Sequence, residues 1–96
     1  MSADEYRFRL FIAGNEPNSR LAEQNLRALC LTYLPDCHHI EIIDVLQDFE
    51  AALQAMIMVA PAVMMLAPRP VTLFGALTDT AKTLAALGIN EGAHHE

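Results

Sequence analysis

Tryptophan is absent, the aromatic share is only 6%, and two cysteines, Cys30 and Cys37, are all the chain carries. Each shortage removes a class of function. With so few rings, the core has to be filled by small and aliphatic side chains and by the five methionines. The cysteines form no Cys-x-x-Cys pair, so the dithiol motif of a redox enzyme is missing, and two free thiols suit a reduced, cytoplasmic protein. Six Lys and Arg against twelve Asp and Glu leave a net charge of −6, which argues against nucleic acid. Four of the six basic residues precede position 28, but they sit among acids. The glycines make no dinucleotide fingerprint, Gly14 standing alone after its strand. The most apolar stretch, Ala51–Pro68, holds Gln54 as its one strongly polar side chain, but Pro61 interrupts it and no basic flank follows. It reads as a segment buried in the domain or between subunits rather than in a membrane. Met1–Glu5 is polar and acidic where a secretory leader needs basic residues, so a cytoplasmic location is expected.

What is present fits one small domain of 96 residues with a modest core, for which self-association, as dimer or tetramer, is a source of added stability. Tyr6, Phe8, Leu10 and Ile12 alternate with Arg7, Arg9 and Phe11, a strand with one wetter end. Gly14, Asn15, Pro17 and Asn18 turn the chain, and Asn18 or Ser19 is placed to cap a helix. Ala22, Leu26, Leu29, Cys30 and Tyr33 recur at helical period, and Pro35 stops the helix after them. Asp36 to His39 read as a loop. Ile40–Leu46 then reads as a central parallel strand, apolar on both faces, which completes a βαβ unit. Phe49–Val59 suits a helix with Phe49, Leu53, Met56 and Ile57 as its stripe. Ala62–Leu66 and Val71–Phe74 suit strands, with Gly75 as a break. Thr78–Leu87 suits a last helix with Ala81, Leu84, Ala85 and Leu87 inward, Asp79 near its start and Gly88 at its end. The order βαβαββα is thioredoxin-like, with Pro61 where that fold often holds a cis peptide bond. Ala51–Leu66 nevertheless suits either helix or strand by periodicity. Residues 1–5 are expected to be disordered, 6–89 to form the domain, and 90–96 a flexible tail.

Catalytic constellations do not emerge. The loop after the first strand, Gly14 to Ser19, lacks cysteine, and Cys30 falls late in the helix, where the negative dipole end opposes a thiolate. Its simplest role is a small core residue, and nothing in the spacing supports a Cys30–Cys37 disulfide. His38 and His39 beside Cys37 point to opposite sides of an extended chain, His94 and His95 fall in the tail, and no second ligand pair at metal spacing exists. Asp44 ends the second strand, where α/β sheets often bind ligands, but without a partner base it reads as structural. No catalytic residue, cofactor or metal is expected.

Leu10-Phe-Ile-Ala-Gly-Asn-Glu-Pro-Asn-Ser19, Ile40-Glu-Ile-Ile-Asp-Val-Leu46, Ala60-Pro61 and Gly75-Ala-Leu-Thr78 resemble the circadian-clock protein family KaiB over about Tyr6 to Ile89. The domain is also similar to the sensor domain of a clock-associated histidine kinase. The resemblance implies a non-enzymatic, metamorphic binding protein that docks on the ATPase ring of KaiC and recruits KaiA. Its second half would be either thioredoxin-like or packed as in the family's resting tetramer. The implied binding residues are Asn15, Pro17, Asn18 and Arg20, with Pro61, Pro68, Arg69, Pro70 and Gly75; turn and capping chemistry alone also accounts for Asn15, Pro17 and Asn18. The chain departs from the family pattern by losing charge. Leu53-Gln-Ala-Met56 replaces acids and a lysine, and Ala60-Pro61 replaces Thr-Pro. Pro68-Arg69-Pro70 replaces three prolines, and no Arg-Arg pair follows it. Ala76 and Leu21 stand for an aspartate and an arginine. The alternatives are a divergent paralogue with another partner or locked in one fold, a thioredoxin-like thiol oxidoreductase, and a structural oligomer.

Overall fold

The computed structural model describes residues 5–89. The expected disordered start and flexible tail therefore lie, apart from Glu5, outside the described residues. Among these, strands β1 (Tyr6–Ile12), β2 (His38–Asp44), β3 (Ala62–Ala67) and β4 (Val71–Phe74) alternate with helices α1 (Pro17–Tyr33), α2 (Phe49–Gln54) and α3 (Thr80–Leu87). The sheet order is β2-β1-β3-β4, parallel between β1 and β2 and antiparallel in the other two pairings. The element order and pairing are those of a thioredoxin-like domain, and of the two arrangements open to the second half the structure has this one. The Ala60–Pro61 bond is cis, as is Ala67–Pro68.

β1 occupies the middle of the sheet and buries side chains on both faces. Phe8 and Leu10 meet Ala22, Leu26 and Cys30 of α1 and Leu84 and Leu87 of α3 in the main core. Phe11 points the other way, into a smaller cluster with Ala52, Ile57 and Ala62. Two helices thus cover one face and the six-residue α2 covers part of the other.

The β1–α1 connection is built from side chains. Glu16 caps α1 by accepting from the Ser19 amide at 3.1 Å, and Pro17 fits the first helical position, where a missing N–H costs nothing. Asn18 and Ser19 are therefore inside the helix rather than its caps. Ser19 is buried, and its Oγ accepts the Ala13 amide at 3.0 Å. Pro35 does stop the helix, at Leu34.

β2 differs from its expected form in three ways. It starts at His38, so the two histidines belong to a strand and not to a loop. It ends at Asp44, where the carboxylate accepts the Gly14 and Leu46 amides, both at 3.0 Å; the Val45 amide still donates to the Ile12 carbonyl at 2.8 Å, and the chain turns away from Leu46 onward. It is an edge strand, not a central one, since β1 takes the middle.

α2 is half its expected length. Asp48 caps it through the Ala51 amide at 3.1 Å. The Met56 amide then bonds to Leu53 and the Ile57 amide to Ala52, a paired C-terminal turn that puts Met56 at φ 60°. The end of α3 repeats that turn at Gly88, where glycine takes the left-handed geometry without strain. α3 itself begins at Thr80 behind the cap Asp79, and it turns Thr83, Leu84 and Leu87 inward. Ala81 and Ala85, expected in the core, are exposed.

Two substitutions check these local devices by urea unfolding. Ser19→Ala strands the Ala13 amide and should destabilise the domain by about 1–3 kcal/mol; no loss contradicts the bond's role. Met56→Gly relieves a strained backbone at a side chain 82% exposed and should stabilise by up to about 1 kcal/mol. Destabilisation there means the Met56 side chain packs on something.

Candidate functional site

The nine residues singled out for binding fall into two groups at opposite ends of the sheet. β3 runs antiparallel to β1, so Pro61, just before β3, lies beside the end of β1 from which Asn15, Pro17, Asn18 and Arg20 follow. Gly75 joins this group, its amide donating to the Pro61 carbonyl at 3.0 Å. Pro61 is buried, whereas Asn15, Pro17, Asn18, Arg20 and Gly75 are exposed. Pro68, Arg69 and Pro70 form the β3–β4 turn at the far end, near the start of β1. There the Arg69 guanidinium lies against Gly88, in the space a Cβ on that glycine would occupy. This arginine packs over the end of α3.

The feature that sequence reading missed is the α2 end of the molecule. Phe49, Leu53 and Met56 were expected to form one helical stripe with Ile57, in a segment buried in the domain or between subunits. Only Ile57 is buried, and the helix buries Ala52 instead. Leu46, Phe49, Leu53, Met56, Met58 and Val59 are all exposed, Met58 by 85%. Leu46 also reaches the Gly14 loop, 3.1 Å from where a Cβ on Gly14 would lie, so this apolar surface continues toward Asn15 and Pro17. Between Phe49 and Met58 a cleft of about 110 Å³ opens, its floor made by Ala52 and Ile57. On the other side of α2 a broader groove of about 680 Å³ runs over the open sheet face, past Ile43 and Met64 to Arg9 and Glu41. A periodic stripe at helical spacing is the same signal whether it faces a core or a partner, so position alone did not distinguish them.

The polar groups nearby are occupied by the fold. Arg9 pairs with Glu41 at 3.1 Å, Asp44 holds two amides and Asp48 caps α2. Asp44 thus has the structural part expected of it. Among the described residues no buried side-chain nitrogen or oxygen lacks a partner, and no group of three or more His, Cys, Asp or Glu is arranged to hold a metal. Among the same residues no helix is long and apolar enough to cross a membrane.

The thiols are both free. Cys30 is fully buried in the main core, and that burial, with the neighbouring Cys37 thiol adding to it, pushes its pKa up to about 12 against a weaker opposite pull from Arg27. A thiol held this firmly in its neutral form is a poor nucleophile.

An α/β domain of this order, whose first turn carries no cysteine and whose buried thiol is neutral, belongs to the thioredoxin-like class by architecture. Among solved structures it is similar to the N-terminal domain of Synechococcus elongatus SasA, with a TM-score of 0.71 at 22% identity, covering 96% of this chain and 91% of that one. It is similar too to the Drosophila thioredoxin Deadhead, with a TM-score of 0.69 at 20% identity over 88% and 80% of the two chains. At these identities the likeness is one of fold. The KaiB domain model matches residues 9–89. The circadian clock protein KaiB3 of Synechocystis sp. is 37% identical over 82 residues, 84% of this chain and 80% of the relative. The circadian clock oscillator protein KaiB of Picosynechococcus sp. is 33% identical over 85 residues, 88% and 82% of the two. The chain belongs to the KaiB family of clock proteins.

Alkylation checks the thiol environment. At pH 8 iodoacetamide should modify Cys37 in the folded protein and spare Cys30 until the chain unfolds; equal rates contradict the burial of Cys30. The linkage sign follows from the raised value. Above pH 9 the unfolded thiol loses its proton while the folded one keeps it until about pH 12, so stability falls as pH rises through that window. Cys30→Ala should lack this part of the decline.

Proposed function

We propose that the chain is a non-enzymatic recognition module of the KaiB type that docks on a KaiC-type ATPase ring through its α2 end. The observation that carries the reading is the run of large apolar side chains from Leu46 to Val59 left uncovered beside the β1–α1 loop. Contiguous apolar surface is costly in water and marks interaction sites in soluble proteins. Asn15 and Pro17 follow the Gly14 loop that Leu46 reaches, Asn18 and Arg20 lie further along α1, and Pro61, whose carbonyl accepts the Gly75 amide, directly follows Ala60 of the cleft. Pro68, Arg69 and Pro70 lie outside this surface. The recruitment of further clock components, and any change of the second half between two packings, belong to the same proposal.

The absence of catalysis has physical support of its own. The loop that in a thioredoxin-like enzyme carries the reactive thiol is here Gly14 to Ser19, which has no cysteine; Glu16 caps α1, the Ser19 hydroxyl accepts the Ala13 amide, and the Gly14 amide donates to Asp44. The competing reading, a thiol oxidoreductase, requires insulin-reducing activity that both cysteine-to-serine changes remove.

Self-association to a dimer or tetramer falls to the exposed apolar side chains away from α2, among them Leu31 and Leu66. Light scattering that reports a monomer at every concentration overturns it without touching the docking role.

Size-exclusion chromatography with a KaiC-type ring and ATP should show co-elution after long incubation. Met58→Ser and Leu53→Ser should each weaken the complex by about tenfold or more, equivalent to about 1.4 kcal/mol, while leaving the urea midpoint nearly unchanged. No complex with the unaltered chain overturns the ring as partner. Unchanged binding by both variants overturns the α2 end as the contact.

A further inference from the structure

We infer that the α2 surface is matched to one kind of partner: a folded protein face that presents a protruding aliphatic side chain ringed by lysine or arginine. The inference rests on the docking role proposed for α2 and adds the chemistry of what binds there.

The first observation is the cleft. It holds about 110 Å³ and is lined by Val45, Phe49, Ala52, Ile57, Met58 and Val59, with Ala60 at its edge, all apolar. A dry cavity of about 150 Å³ accepts a benzene ring, so this one suits a single aliphatic side chain. Its floor is pre-formed. Ala52 and Ile57 are buried, and the Ile57 amide is fixed to the Ala52 carbonyl at 2.9 Å. Its walls are the exposed Phe49 and Met58, and methionine adapts to an irregular contact at little cost. An anchor side chain entering a formed pocket is the usual centre of a protein interface.

The second observation is charge. Between His39 and Arg69 the sequence has no Lys, Arg or His, and it has Glu41, Asp44, Asp48 and Glu50. Asp48 and Glu50 are exposed at the start of α2, next to Phe49. Arg9 is the basic side chain that reaches the neighbouring groove, and Glu41 already pairs with it. The apolar centre therefore has an acidic rim with no cation of its own. Complementary charge at a rim steers encounter and selects partners, and like charge rejects them. An anionic membrane surface is repelled by this rim. Two copies of the chain meeting face to face would set Asp48 and Glu50 of each against those of the other, which disfavours a copy as the occupant.

The test is a titration of the full chain, followed by residue-resolved NMR, with two synthetic amphipathic helical peptides. Both carry a leucine face; lysines flank it in one and glutamates in the other. The lysine peptide should shift amides within residues 45–60, bind at least about tenfold more tightly than the glutamate peptide, and weaken as salt rises. Glu50→Lys, at an exposed position that caps nothing, should erase most of the difference between the peptides. Met58→Ser should weaken the lysine peptide without restoring the other. Equal affinity for the two peptides, shifts centred outside 45–60, or association of the chain with itself through this face overturns the inference. A complex with the KaiC-type ring that survives Glu50→Lys overturns it while leaving the docking role intact. Selective binding of the lysine peptide with no ring complex supports it and removes only the ring.

Discussion

Everything in this small domain follows from β1 lying in the middle of a sheet whose two faces are covered unequally. Phe8 and Leu10 are sealed by the 17 residues of α1 together with α3. Phe11 has only α2, of six residues, and the turn behind it. A helix of that length buries Ala52 and leaves its larger side chains in water. Burying one large aliphatic side chain is worth roughly 1.5–3 kcal/mol, so six such residues held out of a core are a large unclaimed driving force for association.

The polar chemistry is spent on holding that arrangement. Asp44 ties the β1–α1 loop to the β2–α2 turn, Ser19 holds the chain where it leaves β1, and Asp48 and Asp79 start the second and third helices. A thioredoxin-like enzyme keeps a thiolate at the head of its first helix; here Glu16 and Pro17 stand at that head, and the buried Cys30 keeps its proton. The thioredoxin-like fold is thus present with a capping side chain and a proline at the head of its first helix, in a chain that belongs to the KaiB family.

How much of this could be read from residues depended on the range of the interaction. β1, α1 with its stop at Pro35, the strands around Pro68–Pro70 and the end of α3 at Gly88 were legible, because periodicity, proline and glycine act within a few residues. The edge position of β2 was not, since an apolar strand looks the same at the edge as in the middle until its neighbours are known. Nor was the early end of α2, because Met56 takes a left-handed geometry that favours glycine and gives no local warning. The binding residues chosen by resemblance were legible as loops and turns. Their division between two ends of the sheet, and the packing of Arg69 on Gly88, required the tertiary pairing of β3 with β1. The exposed α2 stripe was hidden for a related reason: its spacing fits a buried helix equally well.

The central claim is that the uncovered α2 end is where this protein meets its partner. Amide hydrogen exchange, read residue by residue on the chain alone and in the presence of a KaiC-type ring with ATP, addresses it most directly. The account predicts that protection rises from Phe49 to Ala60 and in the Gly14–Arg20 loop, with the outer face of α1 beyond Arg27 and the exposed side of α3 unchanged. Protection gained on those outer helix faces, with Phe49 to Ala60 exchanging as in the free chain, contradicts it.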